Sequence, residues 1–89
     1  MNLDDLRMIL AITRAGSMTA AARTLYVSQP ALSRRLKAVE REIGAAIFER
    51  YQGTHRLTLT PAGRLILPLA ERWEELQREL RLLQEHKDG

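Results

Sequence analysis

The chain has 89 residues, a formal net charge of +3 and no cysteine. A chain of this length builds one small domain that buries about 60–65% of its unfolded surface, and it cannot draw on disulfides or thiolate zinc sites. Since no apolar run is long enough to span a membrane and the amino terminus has no signal-peptide pattern, we expect a soluble, cytoplasmic protein.

Positive charge is concentrated in the middle of the sequence. Residues 23–64 hold eight Lys or Arg against three Glu, a net charge of +5. Residues 1–22 are neutral, and residues 65–89 carry four bases against six acids, a net charge of −2. A polyanion would therefore dock on the central segment.

The first predicted helix runs from about residue 3 to residue 15. Asn2 is placed to cap it, the carboxylates of Asp4 and Asp5 favour its first turn, and Gly16 can adopt the left-handed conformation that ends a helix. The inward face of this helix is expected to consist of Leu3, Leu6, Ile9, Leu10 and Thr13.

A second, short helix follows and ends near Leu25. Ser17 is placed to cap it. The three alanines at 20–22 give it a nearly bare surface, which lets another helix cross it closely. Leu25 and Val27 are expected to fill its junction with the third helix.

The third predicted helix, at about 29–43, has two contrasting faces. Ser28 is a plausible N-cap, and a proline in the first turn loses no helical hydrogen bond. At about 100° per residue, one narrow sector is apolar and should face the core: Leu32, Leu36, Val39 and Ile43. The opposite sector is polar and basic, with Gln29 at the helix entry: Pro30, Ser33, Arg34, Lys37 and Arg41.

This basic face fits the major groove of DNA. Two short helices joined by a tight turn form a helix-turn-helix, whose second helix reads base edges. Gln29 can pair with adenine, Arg34 with guanine, and Pro30 can contact a thymine methyl group. A merely solvated basic face is the alternative. The small residues of the preceding helix, the capped tip and the near absence of acids on this face together favour DNA binding.

A β-hairpin is predicted next, because residues 47–51 and 56–59 alternate apolar and polar side chains around a 52–55 turn. Beside a helix-turn-helix, such a hairpin is a wing whose tip can touch phosphates or the minor groove. His55 and Arg56 are the candidate contacts. An ordinary exposed loop histidine explains His55 equally well, and no second ligand nearby suggests a metal.

A long last helix is predicted to begin at Thr60-Pro61 and to continue to about His86. Pro68 should bend it without ending it. Apolar residues recur along it at alternating spacings of three and four, which is a heptad seam: Ile66, Leu69, Trp73, Leu76, Leu80 and Leu83. The three short helices cannot cover the distal half of this seam. Self-association is therefore favoured over packing within the chain.

Several motifs together resemble the LysR-type transcriptional regulators. They cover nearly the whole chain: Gly16-Ser17, Ala21-Ala22, Leu25-x-Val27-Ser28-Gln29-Pro30-Ala31-Leu32-Ser33, Glu40-x-x-Ile43-Gly44, Ile47-Phe48-Glu49-Arg50 and Leu59-Thr60-Pro61-Ala62-Gly63. The wing tip departs from the family pattern, since it lacks the Arg or Lys often placed there. Arg56 is left as the clear candidate cation.

The resemblance implies a mainly α fold: a winged helix-turn-helix of three helices and a two-stranded wing, residues 1–59, followed by a long dimerisation helix, residues 60–89. It implies a homodimer, joined by antiparallel linker helices, on an inverted repeat in promoter DNA. Gln29, Pro30, Ser33 and Arg34 would contact that repeat. The family's effector-binding domain is absent from this chain, which looks like an excised module of a protein that forms tetramers.

Other functions explain less of the sequence. An interaction module that dimerises through the heptad helix is the main alternative, but it leaves the basic face without a purpose. The serines lack spaced histidine and acidic partners, and no phosphate loop is present, so no enzyme, cofactor, metal or small-molecule ligand is expected. RNA binding is disfavoured because the chain lacks an aromatic stacking platform.

Overall fold

The computed structural model describes residues 1–88. Within them the chain forms four α-helices and one two-stranded antiparallel sheet, the mainly α winged helix-turn-helix that the sequence predicts. The elements in chain order are α1 (Leu3–Ala15), α2 (Met18–Leu25), α3 (Gln29–Ile43), β1 (Phe48–Arg50), β2 (Leu57–Leu59) and α4 (Pro61–Asp88).

Side chains at the predicted positions cap the first three helices. Asn2 and Asp5 form a reciprocal capping box, in which each side chain accepts a hydrogen bond of 2.8 Å from the other's backbone N–H. Ser17 and Ser28 each accept a hydrogen bond from the backbone N–H three residues later. These bonds satisfy amides that have no partner inside a helix, so the predicted starts are confirmed.

Helix α1 lies at the centre of the fold and packs against α2, α3 and α4. Because neighbours surround it, its buried surface is wider than one stripe and includes Met8 and Ile12, which the predicted face left out. The core cluster also takes side chains from α2, α3, β1 with the residue before it, and α4, and Leu57 and Leu59 of β2 pack against it: Ala21, Ala22, Leu32, Leu36, Val39, Ile47, Phe48 and Ile66.

Two predicted core positions at helix ends are wrong, and Val27, which was expected to fill the junction of α2 and α3, is 44% exposed. Leu3 is 50% exposed and Ile43 is 38% exposed. Leu3 lies in the first turn of α1 and Ile43 in the last turn of α3. An amphipathic pattern continues to the end of a helix, whereas the neighbouring helices cover only its middle. Periodicity alone therefore overestimates burial at the helix ends.

The wing pairs Phe48 with Leu59 and Arg50 with Leu57. Each strand has three residues, slightly fewer than predicted. The N–H of Leu57 donates to the carbonyl of Gly16, at 2.9 Å, in the corner between α1 and α2. The wing is thus anchored to the helical body at its second strand.

Helix α4 is 28 residues long, about 42 Å, and it continues through Pro68. Ile66 and Ala70 are buried against the body, whereas every side chain from residue 75 to residue 86 is exposed. No helix within residues 1–88 is both long and apolar enough to cross a membrane.

A tight junction joins the wing to α4. The Thr60 N–H donates to the Ile47 carbonyl at 3.0 Å, and the Thr60 hydroxyl accepts from the Gly63 N–H at 3.1 Å. A Cβ atom at Gly63 would overlap the carbonyl oxygen of Ile47 and press on Leu59. The glycine therefore permits the first turn of α4 to lie directly on the backbone that leads into β1.

We predict that Gly63→Ala lowers the free energy of unfolding by about 1–3 kcal/mol, because the added methyl group overpacks against backbone that cannot yield. Without this overlap the substitution would stabilise the helix, since alanine is the better helix former by about 1 kcal/mol. The sign of the change in the free energy of unfolding therefore tests whether Gly63 contacts the Ile47 backbone. Urea denaturation measures it, and an unchanged or higher stability would contradict the packing.

As a control, Gly16→Ala should destabilise for a different reason. A side chain has free space at Gly16, but the residue has a φ of +77°. The expected loss is about 1 kcal/mol from the left-handed conformation alone.

Candidate nucleic-acid interface

The outward face of α3 forms a ridge, which we call the cationic ridge. Burial of Leu32, Leu36 and Val39 turns this face to solvent. Ser33 is half-buried at its edge, and the other members are exposed. Together the ridge residues are Gln29, Pro30, Ser33, Arg34, Lys37 and Arg41.

The acidic side chains of α3 are engaged away from the ridge. Glu40 accepts a hydrogen bond from the Ile47 N–H at 2.7 Å, and Glu42 forms an ion pair with the amino terminus. Among the side chains of residues 1–86, Arg34, Lys37 and Arg41 have no carboxylate within 4 Å. Their charges are therefore directed to solvent without compensation.

Arg35, next to Arg34 in sequence, has a different role. Its Nε lies 3.3 Å from Oδ1 of Asp5, a buried residue of α1. This contact braces α3 against α1 on the side away from the ridge. Arg35 thus supports the packing of α3 on α1, whereas Arg34 belongs to the solvent-facing ridge.

The tip of the ridge is open. Ser28 satisfies one amide of the first turn of α3, and no acidic residue lies in that turn. The positive end of the helix dipole therefore adds to the charge of the ridge. Tyr26, which no sequence motif marks as a candidate, lies two residues before the cap of α3 and is 95% exposed with a left-handed φ of 57°.

The predicted wing contacts, His55 and Arg56, are both exposed. The Tyr51 N–H donates to the Arg56 carbonyl at 2.9 Å, and the Arg56 N–H donates to the Thr54 hydroxyl at 3.1 Å. These bonds fix the backbone of the wing tip. The Glu40 bond to Ile47 also ties the wing to α3, so the two surfaces form one unit. Contact of His55 and Arg56 with a ligand stays a prediction.

A second surface, which we call the leucine stripe, runs along α4. It lies within about 60° of the helix circumference at 100° per residue, and its members are all 45–78% exposed: Leu65, Leu69, Leu76, Leu80 and Leu83. The predicted heptad seam did not include Leu65, although Leu65 lies four residues before Leu69, from which Leu76 and Leu83 follow at intervals of seven.

The leucine stripe differs from the predicted heptad seam at Ile66. That side chain is 7% exposed and belongs to the core of its own chain, so its expected place in a dimer interface is wrong. Since neighbouring residues of a helix point about 100° apart, α4 buries Ile66 and exposes Leu65. Trp73 is half-buried and lines a groove with Arg7 and Leu10 of α1. Its role in a dimer stays a prediction.

No cluster of three His, Asp or Glu residues suited to a metal ion occurs among the described residues.

Comparison with known proteins identifies the family. The family model for bacterial regulatory helix-turn-helix proteins of the lysR family matches residues 3–64. The chain belongs to the LysR family. The match spans α1, α2, α3, the wing and the start of α4, so the resemblance seen in the sequence motifs is confirmed. This family is one of transcriptional regulators.

Individual members of the LysR family support this placement. A probable RuBisCO transcriptional regulator of Porphyra purpurea is 49% identical over 65 residues, which cover 73% of this chain and 20% of that protein. The DNA-binding domain of CbnR, solved in a complex with DNA, is 32% identical, with a TM-score of 0.80 and 100% of both chains covered.

A full-length structure is also similar. LysG from Corynebacterium glutamicum with its bound effector Arg is 30% identical, with a TM-score of 0.87, and the match covers 98% of this chain and 29% of LysG. The chain thus spans about a fifth to a third of the length of the full-length proteins that it matches.

We predict that Tyr26→Gly raises the free energy of unfolding by about 0.5–1 kcal/mol. A left-handed residue with a Cβ atom is strained by about 1–2 kcal/mol, and the greater chain entropy of glycine offsets part of this gain. The exposed ring has almost no packing to lose. Thermal or urea unfolding gives the measurement.

A glycine placed at an ordinary helical position is the control for Tyr26→Gly. Ala38→Gly, on an exposed turn of α3, should cost about 1 kcal/mol. A loss of stability in Tyr26→Gly as well would show that the tyrosine ring contributes to the fold.

Proposed function

We propose that this chain is the DNA-binding part of a LysR-type transcriptional regulator. In this proposal α3 enters the major groove of double-stranded DNA, the wing touches the neighbouring backbone, and α4 joins the chain to a second copy. The site is an inverted repeat in a promoter.

The exposed, unpaired charge of the cationic ridge carries the proposal. Arg34 and Lys37 gain nothing within the fold from their position, because the acids nearest in sequence are bound elsewhere. A duplex supplies the missing partners, with phosphates along its backbone and acceptor atoms of guanine in the major groove. The complex of the similar CbnR domain with DNA supports the same reading.

The roles within the ridge follow from position and chemistry. Gln29 and Pro30 are at the tip, where a recognition helix approaches base edges, so Gln29 pairs with adenine and Pro30 contacts a thymine methyl group. Arg34, one turn further along, reads guanine. Ser33, Lys37 and Arg41 hold the helix in register through phosphates. His55 and Arg56 would add contacts from the wing.

The leucine stripe supports a homodimer. Its five exposed leucines recur along one side of α4, and residues 1–86 of the same chain leave them uncovered. A second copy, antiparallel to the first, would bury both stripes and separate two reading helices by about 10 base pairs or a multiple of that spacing. Leu69, Trp73, Leu76, Leu80 and Leu83 are kept as predicted contacts, with Leu65 replacing Ile66.

Functionally we divide the chain into a reading unit, residues 1–59, and a dimerisation helix, residues 60–89. The longer relatives support an effector-binding domain beyond this segment, and tetramers in the complete protein. Action on promoter DNA also implies a cytoplasmic location. Membership in a family of regulators supports the absence of catalysis.

The alternative, an interaction module built on α4 alone, accounts for the leucine stripe but not for the ridge. Selection of bound sequences from a pool of random duplexes separates the two. A regulator enriches an inverted repeat, whereas an interaction module enriches no sequence.

We predict that Arg34→Ala weakens binding to the enriched duplex by about 1–3 kcal/mol and relaxes the preference at one base pair of each half-site. Fluorescence anisotropy on a set of single-base variants measures both effects. Arg81→Ala is the matched control, since it removes the same charge from α4 far from the ridge. An unchanged base preference would remove Arg34 from the readout.

We predict that Leu76→Glu converts the dimer into monomers, because two carboxylates would be buried in one apolar interface. Leu82→Glu is the control, because Leu82 is similarly exposed, at 58%, but lies outside the stripe. Sedimentation velocity should show only the first variant as a monomer. A dimer that survives Leu76→Glu would contradict pairing through the stripe.

A further inference from the structure

We propose that the ion pair between Arg14 and Glu74 is a positioning device that sets the distance between the two DNA half-sites. The inference rests on the proposed function. We call this pair the latch. Within the fold it fixes the angle between α4, which joins the copies, and the body, which carries α3.

The geometry of the latch is bidentate. Nη1 of Arg14 lies 2.6 Å from Oε2 of Glu74, and Nη2 lies 2.7 Å from Oε1. The hydrogen bonds to Arg14 lower the pKa of the Glu74 carboxyl, and they raise the pKa of Arg14. Both groups therefore remain charged. A forked pair of this kind holds a direction as well as a distance.

Among the side chains of residues 1–86, the latch is also the last ion pair between α4 and the body. The start of α4 is held by the hydrogen bond from the Thr60 N–H to the Ile47 carbonyl and by the close approach of Gly63 to the same carbonyl. Among residues 61–86, Trp73 and Glu74 are the last half-buried side chains, since residues 75–86 are all exposed. The helix is thus fixed near its first turn and again at Glu74, about 16 Å further along at 1.5 Å per residue.

The contacts between these two points are mainly apolar. Ile66 and Ala70 pack against the body, and apolar burial has no preferred direction. Small rotations of α4 over this surface would therefore be tolerated if the latch were absent. The latch ends such rotation because Arg14 lies in the last turn of α1, the helix that also packs against α3.

A small rotation would have a measurable consequence on DNA. The α4–α1–α3 stack spans two interhelical distances of about 8–10 Å each. A rotation of about 10° around α4 would therefore displace α3 by about 3 Å, which is close to the 3.4 Å rise of one base pair. The angle that the latch fixes between α4 and the body would thus determine the number of base pairs between the half-sites.

The test uses the half-site that the wild-type chain enriches from random duplexes. Synthetic duplexes carry two inverted copies of this half-site, separated by the selected spacer or by a spacer one or two base pairs longer or shorter. Affinities are measured for wild type, Arg14→Ala, Glu74→Ala and the double variant. Glu75→Ala is the matched control, because it removes an equal charge one residue from the latch.

We expect wild type and Glu75→Ala to lose at least about tenfold in affinity when the spacer changes by one base pair. Arg14→Ala and Glu74→Ala should bind all spacers within about threefold, with unchanged affinity for an isolated half-site. The double variant should match each single variant, since both residues act through one contact. Circular dichroism verifies the fold of each variant.

A spacer preference as sharp in the latch variants as in wild type would overturn the proposal, as would equal broadening in Glu75→Ala. Either result leaves DNA binding intact. Enrichment of no duplex by wild type would instead overturn the proposed function itself, so the two failures are distinguishable.

Discussion

Burial of one face of α3 is the constraint on which the rest of the structure depends. Leu32, Leu36 and Val39 pack into a core centred on α1, and their removal from water contributes most of the driving force that seats the helix. These contacts determine which side of the helix faces the core. Arg34 and Lys37, on the opposite side, must therefore project outward. The same apolar contacts that stabilise the fold thus create the cationic surface.

The position of α4 depends on how the helix is attached to the helical body. Thr60 links α4 to Ile47, the residue before β1, and the missing side chain of Gly63 lets the two backbones approach closely. Beyond Glu74 the side chains of α4 up to residue 86 are exposed, and within residues 1–86 the last ion pair to the body is at Glu74. Helix α4 therefore has two functional parts. Up to the latch, one side of the helix belongs to the core, and beyond the latch the helix is exposed and carries the remaining leucines of the stripe.

The division of charges shows why neighbours in sequence differ in role. Arg34 and Arg35 are adjacent, yet Arg35 pairs with the buried Asp5 while Arg34 faces solvent. Glu40 and Glu42 lie on the same helix as the ridge, yet both are bound elsewhere. Net charge along the sequence locates the basic segment. Only the pairing of these groups in three dimensions establishes which charges remain available to a ligand.

The sequence by itself determined the helix starts, the wing and the two faces of α3, because caps at Asn2, Ser17 and Ser28 and a local apolar period act over a few residues. Tertiary structure decided where each pattern stops being buried, exposing Leu3 and Ile43 at helix ends. It also buried Ile66 in the core, so that Leu65 takes the place of Ile66 in the exposed stripe on α4. The Arg14–Glu74 latch joins residues sixty positions apart, and no local pattern encodes such a contact. It exists because α1 and α4 pack side by side.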